Sequence, residues 1–319
     1  MQRIILIALT SLLFSACLRE ETPVAPYDRG DATLDAVKLQ AEYSQQIWYD
    51  LGTASIVKTS PKISWDLAFS CGDTGHAVWL NTSLAMMAAP TGETDFATVG
   101  STAGFSLIPD HPTGIWDSLA LRQLAQGEVY LIERGFKPDG KQLGKRKIQW
   151  VGEGRDYYEI RYGELSDVTG KVIRIEKDSR YNRVAFSFTS EEMVELEPPK
   201  DQYDLVFTQY TEVFYDPYLP YLVTGVLLNP HQTRVARITD LPFEGVSLAD
   251  AEEDHFSSLR NAIGYNWKSY NYQTSTFIVH DTVNYLIQDA EGFYYKLHFT
   301  DFYDDQGQKG TPTFEFQKL

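Results

Sequence analysis

Cysteine is nearly absent from this chain of 319 residues, which contains only two. Two cysteines cannot form a disulfide framework, so hydrophobic cores have to hold the fold together. Aromatic residues make up 13% of the chain, and each can bury a large apolar area, so such cores are available. Cys71 alternates with Phe69, a pattern that predicts an inert thiol facing inward.

The sequence motifs of common enzymes are also missing. The chain has no Gly-x-Ser-x-Gly and no His-Glu-x-x-His segment, and Gly140 to Lys145 is too short for a phosphate-binding loop. The histidines are scattered, with no pair at i and i+4, so they form only a weak metal signal. They are His76, His111, His231, His255, His280 and His298. Without a nucleophile and base in a recognisable pattern, we expect a binding protein rather than an enzyme.

Positive charge is scarce as well. The chain has 28 Lys and Arg against 44 Asp and Glu, which gives a net charge of −16. Such a surface repels nucleic acid, whose binding depends on neutralising phosphates, so no nucleic-acid partner is expected. The one basic cluster, Lys137 to Lys147, surrounds the turn Pro138-Asp139-Gly140 and is typical of a solvated hairpin.

The only long apolar run lies at the start of the chain. Ile4 to Ala16 spans 13 residues, roughly 20 Å as a helix and too short for a bilayer core of about 30 Å. Arg3 precedes the run, and Ser15-Ala16-Cys17 follows the pattern of a lipobox. We therefore predict a lipoprotein signal peptide at residues 1–16 and lipidation of Cys17. The alternative is an ordinary signal peptide with a chance cysteine.

Residues 17–38 have the composition of a tether. Pro23 and Pro26 disfavour packed structure in this stretch. Glu20 and Glu21, close behind the cysteine, resemble the surface-export signal of Bacteroidetes lipoproteins. A merely solvated linker with no export role is the alternative.

A sequence pattern occurs twice in the chain. Trp65-Asp66-Leu67-Ala68-Phe69 returns 138 residues later as Tyr203-Asp204-Leu205-Val206-Phe207. Tyr130-Leu131-Ile132 likewise matches Tyr285-Leu286-Ile287. The same order in both copies predicts a duplication, with modules at residues 39–178 and 179–319.

Strand patterns dominate both copies. Val184, Phe186 and Phe188 alternate with polar or small residues, and turn pairs such as Asp139-Gly140 and Glu291-Gly292 separate such runs. These spacings predict a mainly β fold of two tandem antiparallel modules with few short helices. One helix is expected in the second module, capped by Ser247 and ending at Gly264.

The most unusual local feature is an aromatic run with prolines between its members. Tyr215, Tyr218 and Tyr221 alternate with Pro217 and Pro220. The run is either a proline-stiffened connection that covers a sheet or an aromatic wall with polar tips. A wall of this kind would suit a macrocycle or a sugar.

The second module resembles the HmuY-like haem-binding lipoproteins of Bacteroidetes. The resemblance rests on Tyr221 to Leu228, on Trp267, and on Tyr285 to Tyr303, and the first module resembles the same family more faintly. It implies a mostly β fold, a lipid anchor facing outward on the outer membrane, and capture of haem from haem-carrying proteins for iron acquisition. It also makes a TonB-dependent outer-membrane receptor a candidate partner.

The iron ligands implied by the resemblance are not all present. In the family a histidine follows the tryptophan-bearing strand, whereas here Lys268-Ser269-Tyr270-Asn271-Tyr272 follows Trp267. Tyr272, or Tyr270 under a shifted alignment, stands nearest that place, and His255 or His231 is the candidate second ligand. We therefore expect a surface lipoprotein that binds haem. The alternative is a lipoprotein for adhesion or for a ligand other than haem, such as a glycan.

The lipobox gives a first prediction. Changing Cys17 to Ser removes the only atom that can accept the lipid, so the variant should leave the membrane fraction. Fractionation of cells with and without detergent checks this. Membrane association of the variant that still requires detergent for release would contradict it.

Overall fold

The computed structural model describes residues 30–72 and 76–319, and within them the chain is almost entirely strand and loop. Every strand pairing is antiparallel, which confirms the predicted mainly β fold. The strands are β1 (Thr33–Ala36), β2 (Gln45–Asp50), β3 (Ser55–Pro61), β4 (Leu67–Ser70), β5 (Val78–Leu80), β6 (Met87–Pro90), β7 (Val129–Glu133), β8 (Lys145–Glu153), β9 (Tyr157–Gly163), β10 (Lys171–Glu176), β11 (Arg183–Ser187), β12 (Glu192–Val194), β13 (Leu205–Tyr215), β14 (Tyr218–Leu228), β15 (Arg234–Ile238), β16 (Lys268–Asn271), β17 (Thr276–Val279), β18 (Asn284–Gln288), β19 (Tyr294–Tyr303) and β20 (Lys309–Lys318).

The helices of the described residues are single 3₁₀ turns. They are Ala41–Tyr43, Lys62–Ser64, Thr82–Leu84, Trp116–Ser118, Phe243–Gly245, Leu248–Asp250 and Glu253–His255. None of the helices in residues 30–72 and 76–319 is long and apolar enough to cross a membrane. The predicted signal peptide and Cys17 lie outside the described residues.

Two sheet arrangements each occur twice. One five-stranded sheet has the order β6-β7-β8-β9-β10, and the other has the order β15-β18-β19-β20-β1. The two four-stranded sheets have the orders β12-β11-β4-β5 and β3-β2-β13-β14, and β16 and β17 form a separate hairpin. In each four-stranded sheet a hairpin from one half of the chain pairs with a hairpin from the other half. We call β2–β3 and β11–β12 the crossover hairpins.

The hydrophobic cores follow this exchange of hairpins. One core is built from β4 to β12, and we call residues 67–194 the contiguous module. The other core combines β1 to β3 with β13 to β20, and we call residues 33–61 and 205–318 the composite module. Residues 31–319 together form one compact unit.

The predicted module boundaries at residues 38/39 and 178/179 do not coincide with these cores. The polar turn after β10 leads directly into β11, which pairs with β4, so residue 178 lies inside the contiguous module. At the other end, β1 pairs with β20 although the predicted tether runs to residue 38. Val37 is fully buried in the composite core, so the ordered fold begins within the predicted tether.

The repeated aspartates bind the two crossover hairpins in the same way. The Asp66 carboxylate accepts the N–H of Phe188, which follows β11, at 2.7 Å. The Asp204 carboxylate accepts the N–H of Leu51, which follows β2, at 2.8 Å. Each aspartate therefore fixes the end of a strand that comes from the other half of the chain. Trp65 and Tyr203, which precede these aspartates, are 5% and 2% exposed.

Two asparagines extend the correspondence. The side-chain amide of Asn81 donates to the carbonyl oxygens of Lys62 and Trp65 at 2.7 and 2.8 Å. The side-chain amide of Asn229 donates to the carbonyl oxygens of Lys200 and Tyr203 at 2.8 and 2.6 Å. The two copies of the motif thus lie in matching hydrogen-bond networks, and their buried carbonyl groups are satisfied.

The helix predicted from Ser247 to Gly264 is wrong. Ser247 and Asp250 do form a capping box, but only single turns follow. Ser257 then exchanges backbone hydrogen bonds with Val235 at 2.8 and 2.9 Å. Pairing with β15 holds the chain extended, and this tertiary contact outweighs the helical pattern.

Asp66 also forms a buried ion pair, which gives a stability prediction. Arg134 donates to both carboxylate oxygens at 2.7 and 3.1 Å, and both side chains are almost fully buried. Asp66→Asn leaves the Arg134 charge uncompensated and should lower the free energy of unfolding by about 3–5 kcal/mol. Urea denaturation measures this change.

The matched control is Asp139→Asn, which breaks the exposed pair with Lys141 and should leave the unfolding curve nearly unchanged. Equal effects of the two substitutions would contradict the assigned role of Asp66.

Candidate ligand-binding site

The tyrosines predicted as iron ligands lie on an exposed hairpin. Tyr272 is in the turn between β16 and β17 and is 87% exposed. Its ring meets that of Tyr270 edge-on at 5.1 Å, and Tyr270 in turn meets Phe277 at 5.1 Å. A haem bound at Tyr272 would have little apolar enclosure from these residues.

The histidines predicted as second ligands lie elsewhere. His255 is exposed on a 3₁₀ turn, where Glu252, Asp254 and His255 offer ligand atoms close together. His231 follows β14 and lines a cavity. Tyr272, His255 and His231 are on three separate loops, and no hydrogen bond or ring contact joins them.

The predicted aromatic wall divides between two faces of the β13–β14 hairpin. Tyr215 and Tyr218 pair at its tip with ring centroids 6.2 Å apart and are 70% and 54% exposed. Tyr221 is three residues after Tyr218 in a regular strand, so its side chain points to the opposite face. The exposed tip therefore offers two tyrosines on one face.

His111, which the sequence did not distinguish from the other histidines, faces this tip. Its ring lies parallel to that of Tyr215 within 23°, with centroids 6.4 Å apart. Its Nδ1 atom is 3.0 Å from the hydroxyl of Thr113. The structure thus brings together a half-buried imidazole and exposed tyrosines from elements about 100 residues apart in the chain. No local spacing in the sequence could have indicated this pair.

A buried carboxylate holds the loop that carries His111. Asp110 is 1% exposed and accepts the backbone N–H groups of Leu80 and Ala120 at 2.7 and 2.8 Å. Burial raises the pKa of this carboxyl to about 7, while the two N–H groups and the nearby Arg260 charge oppose the rise. The bond from Ala120 closes the loop on itself, and the bond from Leu80 ties it to β5 of the contiguous module.

A cavity of about 370 Å³ lies beside this loop, between the two modules. Thr113, Gly114 and Ile115 form part of its wall, and the rest comes from segments next to β4, β11 and β14. Its lining includes the side chains of Arg183, Lys200, His231 and Arg260. The Cys71 thiol also lines it and is buried, as predicted, and burial raises the pKa of that thiol.

Lys268, in the stretch where the family resemblance places an iron ligand, is buried instead. Its Nζ atom donates to the carbonyl oxygen of Thr224 at 2.6 Å and lies 4.0 Å from the ring centroid of Trp267. Burial lowers the pKa of this amine to about 7. The segment directly after Trp267 is therefore part of the composite module's interior.

Comparison with known proteins places the chain in a family. The family model described as HmuY protein matches residues 42–316. The chain belongs to the HmuY family. This is a family of binding proteins rather than enzymes. The match is a single span across both modules, whereas the sequence resemblance was clearest in the second half.

Solved structures of two bacterial proteins are similar to the chain. Apo PinO from Porphyromonas gingivitis is 7% identical with a TM-score of 0.38, and the match covers 91% of this chain and 98% of that one. The apo HmuY analog of Tannerella forsythia is 10% identical with a TM-score of 0.26, covering 92% and 99%. No curated protein sequence matches the chain.

The buried amine of Lys268 gives a pH prediction. Its folded pKa of about 7 lies below the ordinary lysine pKa of 10.5, so between these values the unfolded chain binds more protons. This group alone should raise the stability of the protein as pH increases from 7, by up to about 1.4 kcal/mol per pH unit. Lys268→Met should remove that part of the slope.

Urea unfolding of both proteins at several pH values from 7 to 10 measures the difference. The variant's stability advantage should be greatest at pH 7 and shrink as pH rises. Parallel stability curves for the two proteins would contradict the assignment.

Proposed function

We propose that this protein binds haem, and that the ring docks where His111 faces the tip of the β13–β14 hairpin. Membership of the HmuY family carries the proposal, because the lipoproteins that the sequence resembles bind haem. Bound haem would supply the iron centre, while this chain supplies ligation, orientation and apolar cover.

The residues around His111 fit a haem ring. Haem iron needs an axial donor, and the ring needs apolar or aromatic surfaces against its faces. The imidazole of His111 supplies a donor, and Tyr215 and Tyr218 supply aromatic surface that is exposed in this structure. Because the Tyr215 ring is within 23° of parallel to the imidazole, it would meet a haem held by His111 edge-on. Exposed aromatic surface of this kind typically marks a binding site.

The hydrogen bonds of His111 also suit ligation. Nδ1 lies 3.0 Å from the Thr113 hydroxyl and accepts the Thr113 backbone N–H at 3.4 Å, and among the described residues no hydrogen bond engages Nε2. Ligation through Nε2 requires the proton on Nδ1, where the Thr113 hydroxyl can accept it while the longer N–H contact is given up. A second hydrogen bond of this type commonly orients metal-binding histidines.

We further propose that the protein is anchored through Cys17 at the outer membrane, faces the exterior, and captures haem for iron acquisition without enzymatic activity. The lipobox and the acidic residues behind it support the anchor. Membership of the HmuY family favours haem-carrying proteins as donors and a TonB-dependent receptor as acceptor.

A non-haem ligand is the second candidate, and one observation favours it. Tyr215 and Tyr218 expose both their ring faces and their hydroxyl groups at a hairpin tip, an arrangement that also suits stacking on a sugar. A glycan-binding or adhesion role would use the tyrosines without requiring His111.

Titration of the purified protein with ferric haem, followed at the Soret band, tests the proposal. The wild type should bind one haem saturably, and His111→Ala should weaken binding by at least about tenfold. Tyr272→Phe and His255→Ala are matched variants at the donors that the sequence suggested, and both should bind like the wild type.

The outcomes separate the candidates. Loss of binding in Tyr272→Phe with normal binding in His111→Ala would place the iron on the β16–β17 hairpin instead. A wild type that shows no saturable haem binding would contradict the haem proposal and favour the non-haem role.

A further inference from the structure

The cavity between the modules is lined by cationic groups in a protein that is strongly acidic overall. Arg183, Lys200 and Arg260 line it together with His231, and none of the described lining residues is Asp or Glu. The chain as a whole carries a net charge of −16. This local excess of positive charge suits an anionic ligand.

Arg183 forms an ion pair with one buried carboxylate, that of Glu197. Its side chain is 6% exposed and donates to Glu197 at 2.9 Å. Glu197 also accepts the Arg183 backbone N–H at 2.9 Å and the Tyr203 hydroxyl at 3.2 Å. The nearby carboxylate is therefore fully engaged, whereas the Nε atom of Arg183 is buried without a partner.

Arg260 is the less compensated of the two arginines. Its Nε atom is also buried without a partner, and among the described residues its guanidinium forms no ion pair or hydrogen bond. The nearby Asp110 already accepts two backbone N–H groups. Burial and the neighbouring Arg183 charge lower the pKa of the Arg260 guanidinium to about 9, although the Glu197 and Asp110 charges oppose the shift. A half-buried guanidinium without an ion pair or hydrogen bond is well suited to an anionic partner from outside the chain.

The backbone around Arg260 keeps it in place. Its N–H donates to the carbonyl oxygen of Thr113 at 3.2 Å, and its own carbonyl accepts the N–H of Leu228 at 2.7 Å. Gly114 packs against its stem so closely that an added Cβ would lie 2.6 Å from the Arg260 Cδ atom. The guanidinium is therefore positioned before any ligand arrives.

We propose that this cavity binds a carboxylate group, which Arg260 and Arg183 hold with charge-assisted hydrogen bonds and which Lys200 attracts at the wall. Guanidinium groups match the planar geometry of a carboxylate. The cavity has the volume of a small-molecule site. The carboxylate comes either from a free small acid or from a propionate of haem docked at His111, and only the second source rests on the proposed function.

The full-length protein in detergent, with succinate as the free carboxylate, tests the site itself. Succinate should raise the melting temperature of the wild type, because a ligand that binds only the folded state stabilises it. Arg260→Gln should lose this shift and should not melt below the ligand-free wild type, since the guanidinium that it removes forms no ion pair or hydrogen bond among the described residues. Arg180→Gln, at an exposed arginine paired with Asp178, is the control and should respond like the wild type.

A second variant, Lys200→Gln, tests the cavity independently in case Arg260→Gln does not fold. Lys200→Gln changes a half-buried side chain of the cavity wall and should reduce the succinate shift. A purely structural role of Arg260 would instead lower the melting temperature of Arg260→Gln and leave any succinate shift intact in Lys200→Gln.

Ferric haem and its dimethyl ester distinguish the two sources of the carboxylate. If a propionate enters the cavity, esterification should weaken haem binding by about tenfold or more in the wild type and much less in Arg260→Gln. If succinate binds through Arg260 and esterification has no effect, the ligand is a free acid.

The two proposals fail separately. An Arg260-dependent succinate shift without haem binding would retain the carboxylate site and reject the haem proposal. The carboxylate site is overturned if succinate leaves the wild type unchanged and esterification has no effect, or if Arg260→Gln responds like the wild type.

Discussion

The carboxylates of Asp66 and Asp204 hold the crossover hairpins in place by accepting backbone N–H groups from them, and the arrangement of both modules follows from this. Each carboxylate is buried and accepts a backbone N–H at the end of a strand from the other half of the chain. Because each half contributes a hairpin to the other's sheet, the two halves of the chain cannot separate without breaking strand pairs. The exchange also brings the four-stranded sheets together around a third core, to which Trp48, Trp65 and Tyr203 belong.

The candidate site is a consequence of that exchange. The loop with His111 belongs to the contiguous module, whereas Tyr215 and Arg260 belong to the composite module. The buried Asp110 carboxyl and the half-buried Arg260 guanidinium, both with shifted pKa values, lie where the modules meet, and so does the unpartnered Nε atom of Arg183. Perturbed ionisable groups beside a cavity are typical of a functional site, where a ligand completes what the fold leaves open.

The sequence predicted features that depend on neighbouring residues, and it failed where distant contacts decide. Alternation around Phe186 and the turn pairs indicated strands correctly, because side-chain period is local. Ser247 and Asp250 correctly indicated a helix cap. The helix does not continue beyond single turns, because Ser257 pairs with Val235. The repeated Asp-Leu-x-Phe motif marked equivalent positions. The motif could not show that the strand paired with each copy comes from the other half of the chain. Pairing within one half and pairing between the halves would give the same sequence pattern. His111 was indistinguishable from the other histidines because its partner, Tyr215, is remote in the chain.

A structure of the protein with ferric haem bound would show which atom holds the iron. We expect iron bonded to the Nε2 atom of His111, with the ring against Tyr215 and Tyr218 at the junction of the modules. Iron bonded to Tyr272 or His255, or a ring bound away from the hairpin tip, would contradict this expectation.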